Sequence, residues 1–523
     1  MESFSLKTVG LVIASFSILF ALQKAISLKK LLAGVGYHPG TRTLLSQRST
    51  IANLLPRLPV INPGWNHKFN NKFTEFEHYG WDIIANLSIL PEGITVDVAN
   101  AVAIKEITTW RARFPKPVED YEVLMLFGSN IVVTEGELWK KYRKIVSPAF
   151  NDRNNKLVWE ETVKIMVDLF DSVWLNQDVI PVNHIVDLTL PIALFVIGVA
   201  GFGRRISWQD DLSLPPGHKM SFKEALSEVS EGVFIKLVCP ERLVGFWDKT
   251  RKVKLAFDEL DQYMHEMISA RQNAEKKEER YDLFSSLMDA NDSPGFGQAP
   301  LTEQEVIGNI FIFLIAGHET TAHTLAYTLG LLALYQEEQE ILYQHIKSVI
   351  PDDRLPTYEE MPLLTQTTAV IYETLRLFPS VNGVPKKCAE DTTLVAQSAE
   401  GETKAISIPR GTSISINVIG LHYNPRYWKD PYEFRPSRFR GDWPRDAFLP
   451  FSGGARACIG RKFSETEGTV ILTMLISRYK VSVKEEPQFS GETFEEKKAR
   501  IFASKPGITI APIRMPLVFT RRT

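Results

Sequence analysis

The sequence is poor in cysteine and carries almost no net charge. Three cysteines, Cys239, Cys388 and Cys458, stand in 523 residues, too few and too far apart for a disulfide framework or a C-x-x-C metal site. The 60 Lys and Arg nearly balance the 62 Asp and Glu, so no basic field exists to hold nucleic acid by counterion release. With 44% hydrophobic and 23% charged residues, the composition is that of an ordinary folded chain and excludes disorder and low complexity.

The first thirty residues are predicted to form a membrane anchor. Thr8 to Gln23, a run without formal charge, lies between Lys7 and Lys24 and is slightly shorter than the roughly 20 residues of a spanning helix. If the Lys24 side chain reaches along the helix to the interface, the usable run extends to Leu28. More positive charges follow the run than precede it, which leaves the bulk of the chain in the cytoplasm. A cleaved secretory peptide is the alternative.

The rest of the chain is predicted to be one large domain after a short linker. Three prolines between Leu55 and Trp65 resist helix formation and indicate a stiff connection. We therefore divide the chain into an anchor (1–30), a proline-containing linker (31–65) and a single domain (66–523). Helical periodicity dominates from 96 to 377, and alternating isoleucines on either side of Pro409-Arg410-Gly411 predict a β-hairpin. The expected fold class is mainly α with a small β-sheet subdomain.

The most informative segment is an apolar helix predicted from about Thr302 to Glu337. Between Glu305 and Glu337 its only formal charge is Glu319, and a helix that is apolar on every side must be buried. A membrane span is the rival interpretation, but it would place ionisable groups near the bilayer centre, where they are costly. The pattern favours an internal helix that carries a polar site.

That polar site reads His318-Glu319-Thr320-Thr321-Ala322-His323. It first suggests the zinc motif H-E-x-x-H, in which two histidines four residues apart face one ion. Here the histidines are one residue further apart, or about 140° around the helix axis, which argues against zinc. What remains is an acid beside a hydroxyl, Glu319 and Thr320. A threonine of this kind, taken alone, is most often bonded to its own helix.

A second pattern surrounds Cys458. The segment Phe451 to Gly460 follows F-x-x-G-x-R-x-C-x-G. Glycines at 453 and 454 allow the backbone to turn tightly around an object, and amide groups at the start of the following helix would stabilise a thiolate. An isolated cysteine is usually inert packing, but these surroundings indicate a ligand.

The two patterns resemble those of the cytochrome P450 monooxygenases, and the sequence is most similar to basidiomycete-type microsomal members from fungi. In that family the haem iron takes an axial Cys thiolate from a loop of this pattern. The resemblance implies that Cys458 is the axial ligand of haem b, buried between the long central helix and the cysteine loop. It also implies that Phe451, Gly453 and Arg456 contribute to binding the cofactor.

Further elements follow the order found in the family. Trp139-Lys-Lys-Tyr-Arg143 resembles W-x-x-x-R, which implies contacts from Trp139 and Arg143 to a haem propionate; alone it would be an amphipathic helix with a surface arginine. Glu373-Thr-Leu-Arg376 resembles E-x-x-R, and Arg438 of the following P-x-R-F element is implied to complete a structural triad. Taken alone, the Glu373 and Arg376 pair would be a solvated surface pair.

Two more positions are interpreted through the resemblance. Lys386 stands where many relatives carry a propionate-binding arginine, and the contact would be weaker because lysine cannot bond bidentately. Ala316-Gly317-His318-Glu319-Thr320-Thr321 resembles the family's oxygen-activation element. Glu319 would relay protons and Thr320 would assist beside it, which makes these two the implied catalytic residues.

The resemblance implies an enzyme that inserts one oxygen atom from O2 into a C–H bond of a lipophilic small molecule. Its electrons would come from NADPH–cytochrome P450 reductase, with cytochrome b5 as an optional second donor, because the haem fold uses the whole chain. The anchor would place it as a single-pass protein on the endoplasmic reticulum membrane, with the catalytic domain in the cytoplasm. A nucleic-acid partner is not expected.

The substrate is the least determined part. The region from Trp110 to Arg153 is similar to fungal microsomal members, which implies a terpenoid of secondary metabolism, but a xenobiotic or aromatic hydroxylase stays open. So do a reductase-independent haem isomerase or dehydratase of the same fold and a haem sensor without turnover. The residues expected to line an apolar substrate pocket are Phe311, Ile312, Ile315, Ala316, Val381 and Val384.

Overall fold

The structure is a computed structural model of the 523-residue chain. It describes residues 6–47, 49, 52, 55–64, 66–204, 206, 208, 214–238, 247–273, 281–292, 299–352, 354–505, 507 and 509–522. Cys239 lies outside the described residues.

The described chain is mainly helical with small sheets, which confirms the predicted fold class. The α-helices span Leu6–Gly34, His67–Asn71, Thr74–Tyr79, Ala101–Thr109, Gly136–Val146, Asp152–Asp168, Val186–Val196, Phe222–Val238, Asp248–Gln272, Leu283–Asp292, Glu303–Leu334, Gln336–Val349, Thr365–Leu377, Val418–His422, Arg461–Arg478 and Phe494–Ile501. The strands are Arg42–Leu45 (β1), Ile83–Leu90 (β2), Glu92–Val98 (β3), Val179–Val182 (β4), Gly383–Lys387 (β5), Thr392–Gln397 (β6), Thr403–Ile408 (β7), Ser413–Asn417 (β8), Tyr479–Val483 (β9), Ser504–Lys505 (β10), Ala511–Pro512 (β11) and Leu517–Arg521 (β12).

The chain divides into two compact units. Unit 1 comprises Met1–Pro117, Val381–Glu433 and Pro444–Ala457. Its larger sheet has the strand order β1-β2-β3-β8-β5, and β6 pairs with β7 in a second sheet. In the parallel pair β3 and β8, Val96 lies beside Ile414 and Val98 beside Ile416. All four side chains are buried, so these two strands present one continuous apolar face.

Unit 2 comprises Val118–Ser380, Phe434–Trp443 and Cys458–Thr523. It contains the long helices and the sheets β4-β12-β9 and β10-β11. Its large hydrophobic core includes Phe127, Phe257 and Phe311, with the Phe127 ring centroid 5.4 Å from that of Phe257 and 4.6 Å from that of Phe311. The division into anchor, linker and single domain stays a prediction, and residues 42–45 of the predicted linker form β1, which pairs in parallel with β2.

The predicted apolar helix is Glu303–Leu334, hereafter the central helix. Its 32 residues make it about 48 Å long at 1.5 Å per residue. Thr302 caps the start: its hydroxyl accepts from the Glu305 amide at 3.3 Å, and the Glu305 carboxylate accepts from the Thr302 amide at 2.8 Å. Residues 306–315 and 321–333 are buried throughout, as expected for a helix that is apolar on every side.

The predicted hairpin around Pro409-Arg410-Gly411 is wrong. The two alternating segments do form strands, β7 and β8, and Gly411 takes a positive φ of 85° in the turn between them. The strands lie in different sheets, however, because β7 pairs with β6 while β8 pairs with β3 and β5. Alternation identified the strands and not their partners.

The N-terminal helix, Leu6–Gly34, includes the predicted anchor. No helix among the described residues combines the length and the apolarity that a membrane crossing requires. The predicted spanning helix is therefore not supported. The Lys24 side chain, whose reach toward an interface would have extended the run to Leu28, instead pairs with the Glu92 carboxylate at 2.7 Å, at the start of β3.

Candidate active site

The burial of the central helix is interrupted at Ala316–Thr320. Ala316 is exposed, and Gly317, Glu319 and Thr320 are half-buried, whereas the residues on both sides are buried. A side chain at Gly317 would begin 3.0 Å from the Cδ1 atom of Ile197, so the helix packs closely against Ile197 at this position. The predicted polar site thus coincides with the place where the helix presents surface.

Thr320 is bonded to its own helix. Its hydroxyl donates to the Ala316 carbonyl oxygen at 2.7 Å, the bond expected of a threonine in mid-helix. Its own carbonyl oxygen accepts from the hydroxyl of Thr324 at 2.8 Å. Unlike a core threonine, Thr320 keeps part of its surface exposed beside Ala316.

Glu319 is a weakly solvated carboxyl with one hydrogen-bond donor. Thr509 donates to its Oε1 atom at 3.1 Å, and among the described residues its Oε2 atom has no hydrogen-bond partner. Burial raises the pKa of Glu319 to about 7, although the bond from Thr509 acts in the opposite direction. A carboxyl with this pKa holds and releases a proton near neutral pH.

The two histidines of the site have different partners. Nδ1 of His318 lies 2.6 Å from the Leu314 carbonyl oxygen, and Nδ1 of His323 lies 2.7 Å from the hydroxyl of Thr509. Burial lowers the pKa of each ring to about 4. Both rings are therefore neutral at pH 7, and they are bonded to separate elements.

Cys458 stands just before the helix Arg461–Arg478, hereafter the post-cysteine helix. The residue is exposed and its thiol is free. Desolvation by the surrounding protein raises the pKa of the Cys458 thiol above its ordinary value, against the lowering effects of the Gly460 amide and of the charges on Arg143 and Arg461. The expected stabilisation by helix-start amides is thus present, but in this protein it is smaller than the cost of desolvation.

The loop before Cys458 belongs to unit 1 and needs its glycines. Gly454 has a φ of 63°, and a Cβ atom there would lie 2.2 Å from the Thr108 carbonyl oxygen. A Cβ atom at Gly453 would lie 3.2 Å from the Leu449 side chain. Phe451 and Arg456 of the same loop are half-buried. The two glycines therefore let the loop pack closely against the helix Ala101–Thr109.

Trp139 and Arg143 lie one turn apart on the helix Gly136–Val146. Trp139 is 6% exposed. Desolvation lowers the pKa of Arg143, and the charge of Cys458 acts in the opposite direction, which places this guanidinium within electrostatic reach of the thiol. Of the predicted cofactor-binding residues, Arg143 and Cys458 interact electrostatically, and the binding roles of the set stay a prediction.

The fully buried Glu373 carboxylate accepts four hydrogen bonds from three arginines. Arg376 donates to it through Nε at 2.7 Å and Nη2 at 2.9 Å, Arg438 through Nε at 3.1 Å, and Arg435 through its backbone amide at 2.9 Å. The side chains of Glu373 and Arg376 are both 0% exposed. The structure therefore brings the predicted triad together, and it adds Arg435; the pair is not a solvated surface pair.

The remaining predicted residues fall into two groups. In unit 1, Lys386 is buried on β5, Val384 is half-buried on the same strand, and Val381 is exposed. In unit 2, Phe311, Ile312 and Ile315 are at most 2% exposed and belong to the hydrophobic core. The expected lining of a substrate pocket is thus spread between a core, a strand and an exposed residue, and it stays a prediction.

Sequence reasoning missed the partners of Glu319 and one buried acid. Thr509 is 190 residues from Glu319 in the chain, and no motif marks it. Glu467 on the post-cysteine helix is fully buried, and neither of its carboxylate oxygens has a hydrogen-bond partner among the described residues. Its place in the run from Thr466 to Ile476, which is otherwise without charge, is the signal that could have identified it.

The chain matches the Cytochrome P450 family over residues 91–507. It belongs to the cytochrome P450 family. This P450 is 54% identical over 504 residues to cytochrome P450 monooxygenase 124 of Postia placenta, covering 96% of this chain and 97% of that protein. It is 30% identical over 488 residues to cytochrome P450 monooxygenase ORF6 of Penicillium roqueforti, covering 84% and 82%. The predicted family and its fungal affinity are confirmed.

The fold of this P450 is also that of a solved haem domain. The crystal structure of the cytochrome P450DA heme domain matches with a TM-score of 0.73 at 22% identity, covering 93% of this chain and 98% of that one. The P450 fold is confirmed. Family membership makes the protein a monooxygenase with haem b as its cofactor, O2 and a small molecule as substrates, and a separate redox partner.

The residues of unit 2 fit a haem. Cys458 offers an exposed thiol, the donor that P450 iron takes, with the positive charges of Arg143 and Arg461 acting on it. The hydroxyls of Thr321 and Ser464 lie 3.1 Å apart and join the central helix to the post-cysteine helix. The thiol therefore lies just before a helix that contacts the central helix, on which Ala316 is exposed and Thr320 half-buried.

Proposed function

We propose that this P450 inserts one oxygen atom from O2 into a C–H bond of a lipophilic small molecule, a terpenoid of fungal secondary metabolism. One observation carries the catalytic part of the proposal: Glu319 and Thr320 lie at the interruption in the burial of the central helix, in the same unit as the exposed Cys458. A half-buried acid with a pKa of about 7 next to a partly exposed hydroxyl suits proton delivery at neutral pH.

The chain's own residues would hold the cofactor in distinct roles. Cys458 would bind the iron, and Trp139 and Arg143 would bind a haem propionate. Bound haem supplies the iron centre at which O2 is activated. The further residues proposed to contact it are Lys386, Phe451, Gly453 and Arg456.

The reaction needs electrons and protons from outside the chain. One oxygen atom enters the product and the other leaves as water, so each turnover consumes two electrons and two protons. We assign the electrons to NADPH by way of NADPH–cytochrome P450 reductase, with cytochrome b5 as an optional second donor. Glu319 would pass protons to the reaction site, and Thr320, whose hydroxyl is held by Ala316, would be placed beside it.

The apolar character of the predicted pocket residues supports a lipophilic substrate. Xenobiotic or aromatic hydroxylation is the alternative within the same chemistry. A reductase-independent isomerase or dehydratase is the alternative outside it, and the retained Glu319 and Thr320 argue against it, because neither of those reactions needs a proton-delivering pair. Untargeted metabolite profiling of a fungal host that expresses the chain with its reductase tests the substrate: a new hydroxylated terpenoid supports the proposal, and products from added aromatic compounds alone contradict it.

We further propose that the protein associates with the endoplasmic reticulum membrane from the cytoplasmic side. Several large apolar side chains of the N-terminal helix are 55% to 70% exposed, and such a patch is typical of an interaction surface. These side chains are Phe16, Ile18, Leu19, Phe20, Leu22 and Ile26.

Ligation by Cys458 is tested by substitution at both described cysteines. In Cys458→Ala the ferrous carbon monoxide complex should lose the absorption band typical of thiolate-ligated haem. Cys388→Ala is the matched control, because Cys388 is a buried free cysteine whose thiol donates to the Glu390 carbonyl oxygen at 2.9 Å. The control should keep the band. A normal band in Cys458→Ala would contradict the assignment of the ligand.

A further inference from the structure

Glu319 is one end of a chain of hydrogen bonds. Thr509 Oγ1 donates to Glu319 Oε1 at 3.1 Å, and the same Thr509 oxygen lies 2.7 Å from Nδ1 of His323. Glu319 and His323 are four residues apart on the central helix and so share a face. Thr509, from the segment before β11, bridges them. We call the connected groups Glu319, Thr509 and His323 the Glu319 relay.

The direction of the hydrogen bonds in the relay follows from the donors. A threonine hydroxyl has one hydrogen, and since Thr509 gives it to Glu319, its oxygen accepts from His323. His323 therefore carries its proton on Nδ1, and Nε2 is its basic nitrogen. Burial lowers the pKa of His323 to about 4, so the ring is neutral at pH 7. A neutral ring of this tautomer releases the Nδ1 proton when another proton reaches Nε2.

Turnover requires that Glu319 be reprotonated each time it gives up its proton. Its Oε2 atom has no hydrogen-bond partner among the described residues, whereas Oε1 accepts from Thr509. Oε1 is therefore the atom through which the described protein reaches the carboxylate. Thr509 is 3% exposed and His323 is 7% exposed, so the relay runs through the protein interior and not through bulk water.

The charged and titratable groups around the relay indicate where protons enter. Half-buried His184 and exposed Lys505 act electrostatically on His323, as does buried His318. Glu231 on the helix Phe222–Val238 acts on Glu319. His318 is buried and bonded to its own helix, so the groups acting on His323 that water reaches are His184 and Lys505, and we assign proton entry to their side.

We propose that Thr509 and His323 reload Glu319 with protons between turnovers. In one concerted step the Thr509 hydroxyl proton moves to Glu319, the Nδ1 proton of His323 moves to Thr509, and a solvent proton enters at Nε2. Thr509 and His323 keep their proton counts, and Glu319 gains one proton. His323 then returns to its starting tautomer by exchange with solvent. The inference rests on the proton-delivering role proposed above for Glu319, and Thr509 and His323 are positioning residues that act through it.

Two substitutions break the relay while preserving the local structure. Thr509→Val removes the hydroxyl and keeps the shape, and Thr509→Ser restores the hydroxyl. His323→Asn keeps an N–H donor near the place of Nδ1 but cannot accept a proton on one side and release one on the other. Tyr327→Phe is the matched control, because its hydroxyl lies 2.7 Å from that of Ser504 and joins the central helix to β10 without touching Glu319.

The first readout is product formed per NADPH oxidised in the reconstituted enzyme. Thr509→Val and His323→Asn should each lower it roughly 10-fold, equal to about 1.4 kcal/mol, and should enlarge the effect of replacing H2O by D2O on the product rate. Thr509→Ser and Tyr327→Phe should match the wild type. A His323→Asn enzyme with wild-type coupling would mean that the bond only holds the helix, and it would overturn the proposal.

The second readout needs no turnover. Infrared titration follows the Glu319 carboxyl, assigned by the band that disappears in Glu319→Gln. Thr509→Val should raise the pKa of Glu319 relative to the wild type, because the carboxylate loses its donor, and Tyr327→Phe should leave this pKa unchanged. An unchanged pKa in Thr509→Val would remove the hydrogen bond on which the relay depends.

Glu319→Gln separates failure of this inference from failure of the proposed function. If Glu319→Gln is coupled like the wild type, the role proposed for Glu319 is wrong and the relay is wrong with it. If Glu319→Gln is uncoupled while Thr509→Val and His323→Asn are not, the role of Glu319 stands and the relay alone is wrong.

Discussion

Thr320 and Thr328 make the same hydrogen bond and differ in their surroundings. Each hydroxyl donates to the carbonyl oxygen four residues earlier, at 2.7 Å for Thr320 and 2.8 Å for Thr328. Thr328 is fully buried, whereas Thr320 is partly exposed beside Ala316. The hydrogen bond is therefore common to both residues, and any effect on oxygen chemistry should belong to Thr320 alone.

Truncating these two threonines separates a catalytic role from a structural one. Thr320→Ala should leave haem binding unchanged and lower product per NADPH roughly 10- to 100-fold, the equivalent of about 1.4 to 2.7 kcal/mol, while hydrogen peroxide accumulates. Thr328→Ala should cost about 1 kcal/mol of stability and leave coupling unchanged. Coupling is measured as product against NADPH consumed. Equal coupling in Thr320→Ala and the wild type would remove Thr320 from the catalytic residues.

Motifs identified the residues whose neighbours are close in sequence. Glu319 and Thr320 are adjacent, and Glu373 with Arg376 fits a helical spacing, so the pattern was visible in one stretch of chain. Thr509 could not be found in this way, because it meets Glu319 only through the fold. The residue type does not identify Thr509, because the sequence contains many threonines and only its burial beside Glu319 distinguishes it.

At the scale of the helix, the carboxyl of Glu467 lies in the protein interior, where water cannot solvate a charge. Glu467 lies on the post-cysteine helix and is fully buried, as are its neighbours in sequence Thr466 and Thr469. Desolvation raises the pKa of Glu467 well above its ordinary value of 4.5, so the folded protein holds this residue in its neutral form. In the unfolded chain it ionises normally.

Removing this carboxyl should change how stability depends on pH. Because the pKa of Glu467 is higher in the folded state, its contribution to the free energy of unfolding is complete below about pH 4.5. That contribution falls by about 1.4 kcal/mol per pH unit as the pH rises toward the folded pKa. Glu467→Gln and Glu467→Met lack this loss. Urea unfolding of the wild type and both variants from pH 5 to 8 measures it, and parallel curves would mean that Glu467 is charged in the folded protein.

Strands were predicted better than sheets. The alternation of Ile406 and Ile408, and of Ile414 and Ile416, correctly indicates two strands; β7 buries one face, whereas β8 is buried on both. A turn signal between them favours a hairpin, yet β8 is a central strand between β3 and β5. A central strand needs two partners, and here one is β5, which precedes β6 and β7 in the chain, and the other is β3, more than 300 residues earlier. Local alternation does not report either choice.

At the scale of the whole molecule, the family match runs continuously over 91–507, whereas the two units exchange chain segments several times. Phe434–Trp443 belongs to unit 2 although unit 1 segments precede and follow it. The reason is the cluster around Glu373, to which Arg435 and Arg438 are bonded. Composition marks none of these boundaries, so the sequence predicted one domain.

The N-terminal helix offers a test of membrane association that leaves the rest of the fold in place. Deleting residues 1–23 removes most of the exposed apolar side chains but keeps Lys24, which pairs with Glu92. The truncated protein should move from the membrane pellet to the supernatant and keep its carbon monoxide spectrum. Lys24→Ala is the control that breaks the ion pair and keeps the apolar surface, and it should stay with the membrane.

Two results would contradict this assignment. Loss of the haem spectrum on deletion would show that the segment belongs to the catalytic fold. A glycosylated and shortened product of the full chain would show a secretory peptide in place of an anchor.

The Glu373 cluster also has a consequence for how the chain assembles. Glu373 and Arg435 are 62 residues apart, and closing a loop of that length costs about 3.7 kcal/mol of chain entropy plus a constant. The loop contains Val381–Glu433, a segment of unit 1. The buried Glu373 carboxylate therefore holds together the two stretches of unit 2 that precede and follow this segment in the chain. Doubling the length of a loop costs only about 0.6 kcal/mol more, so insertions in the surface turns between Glu373 and Arg435 should still allow folding. A shift of register next to Glu373 or Arg435 should not, because it would break the hydrogen bond that closes the loop.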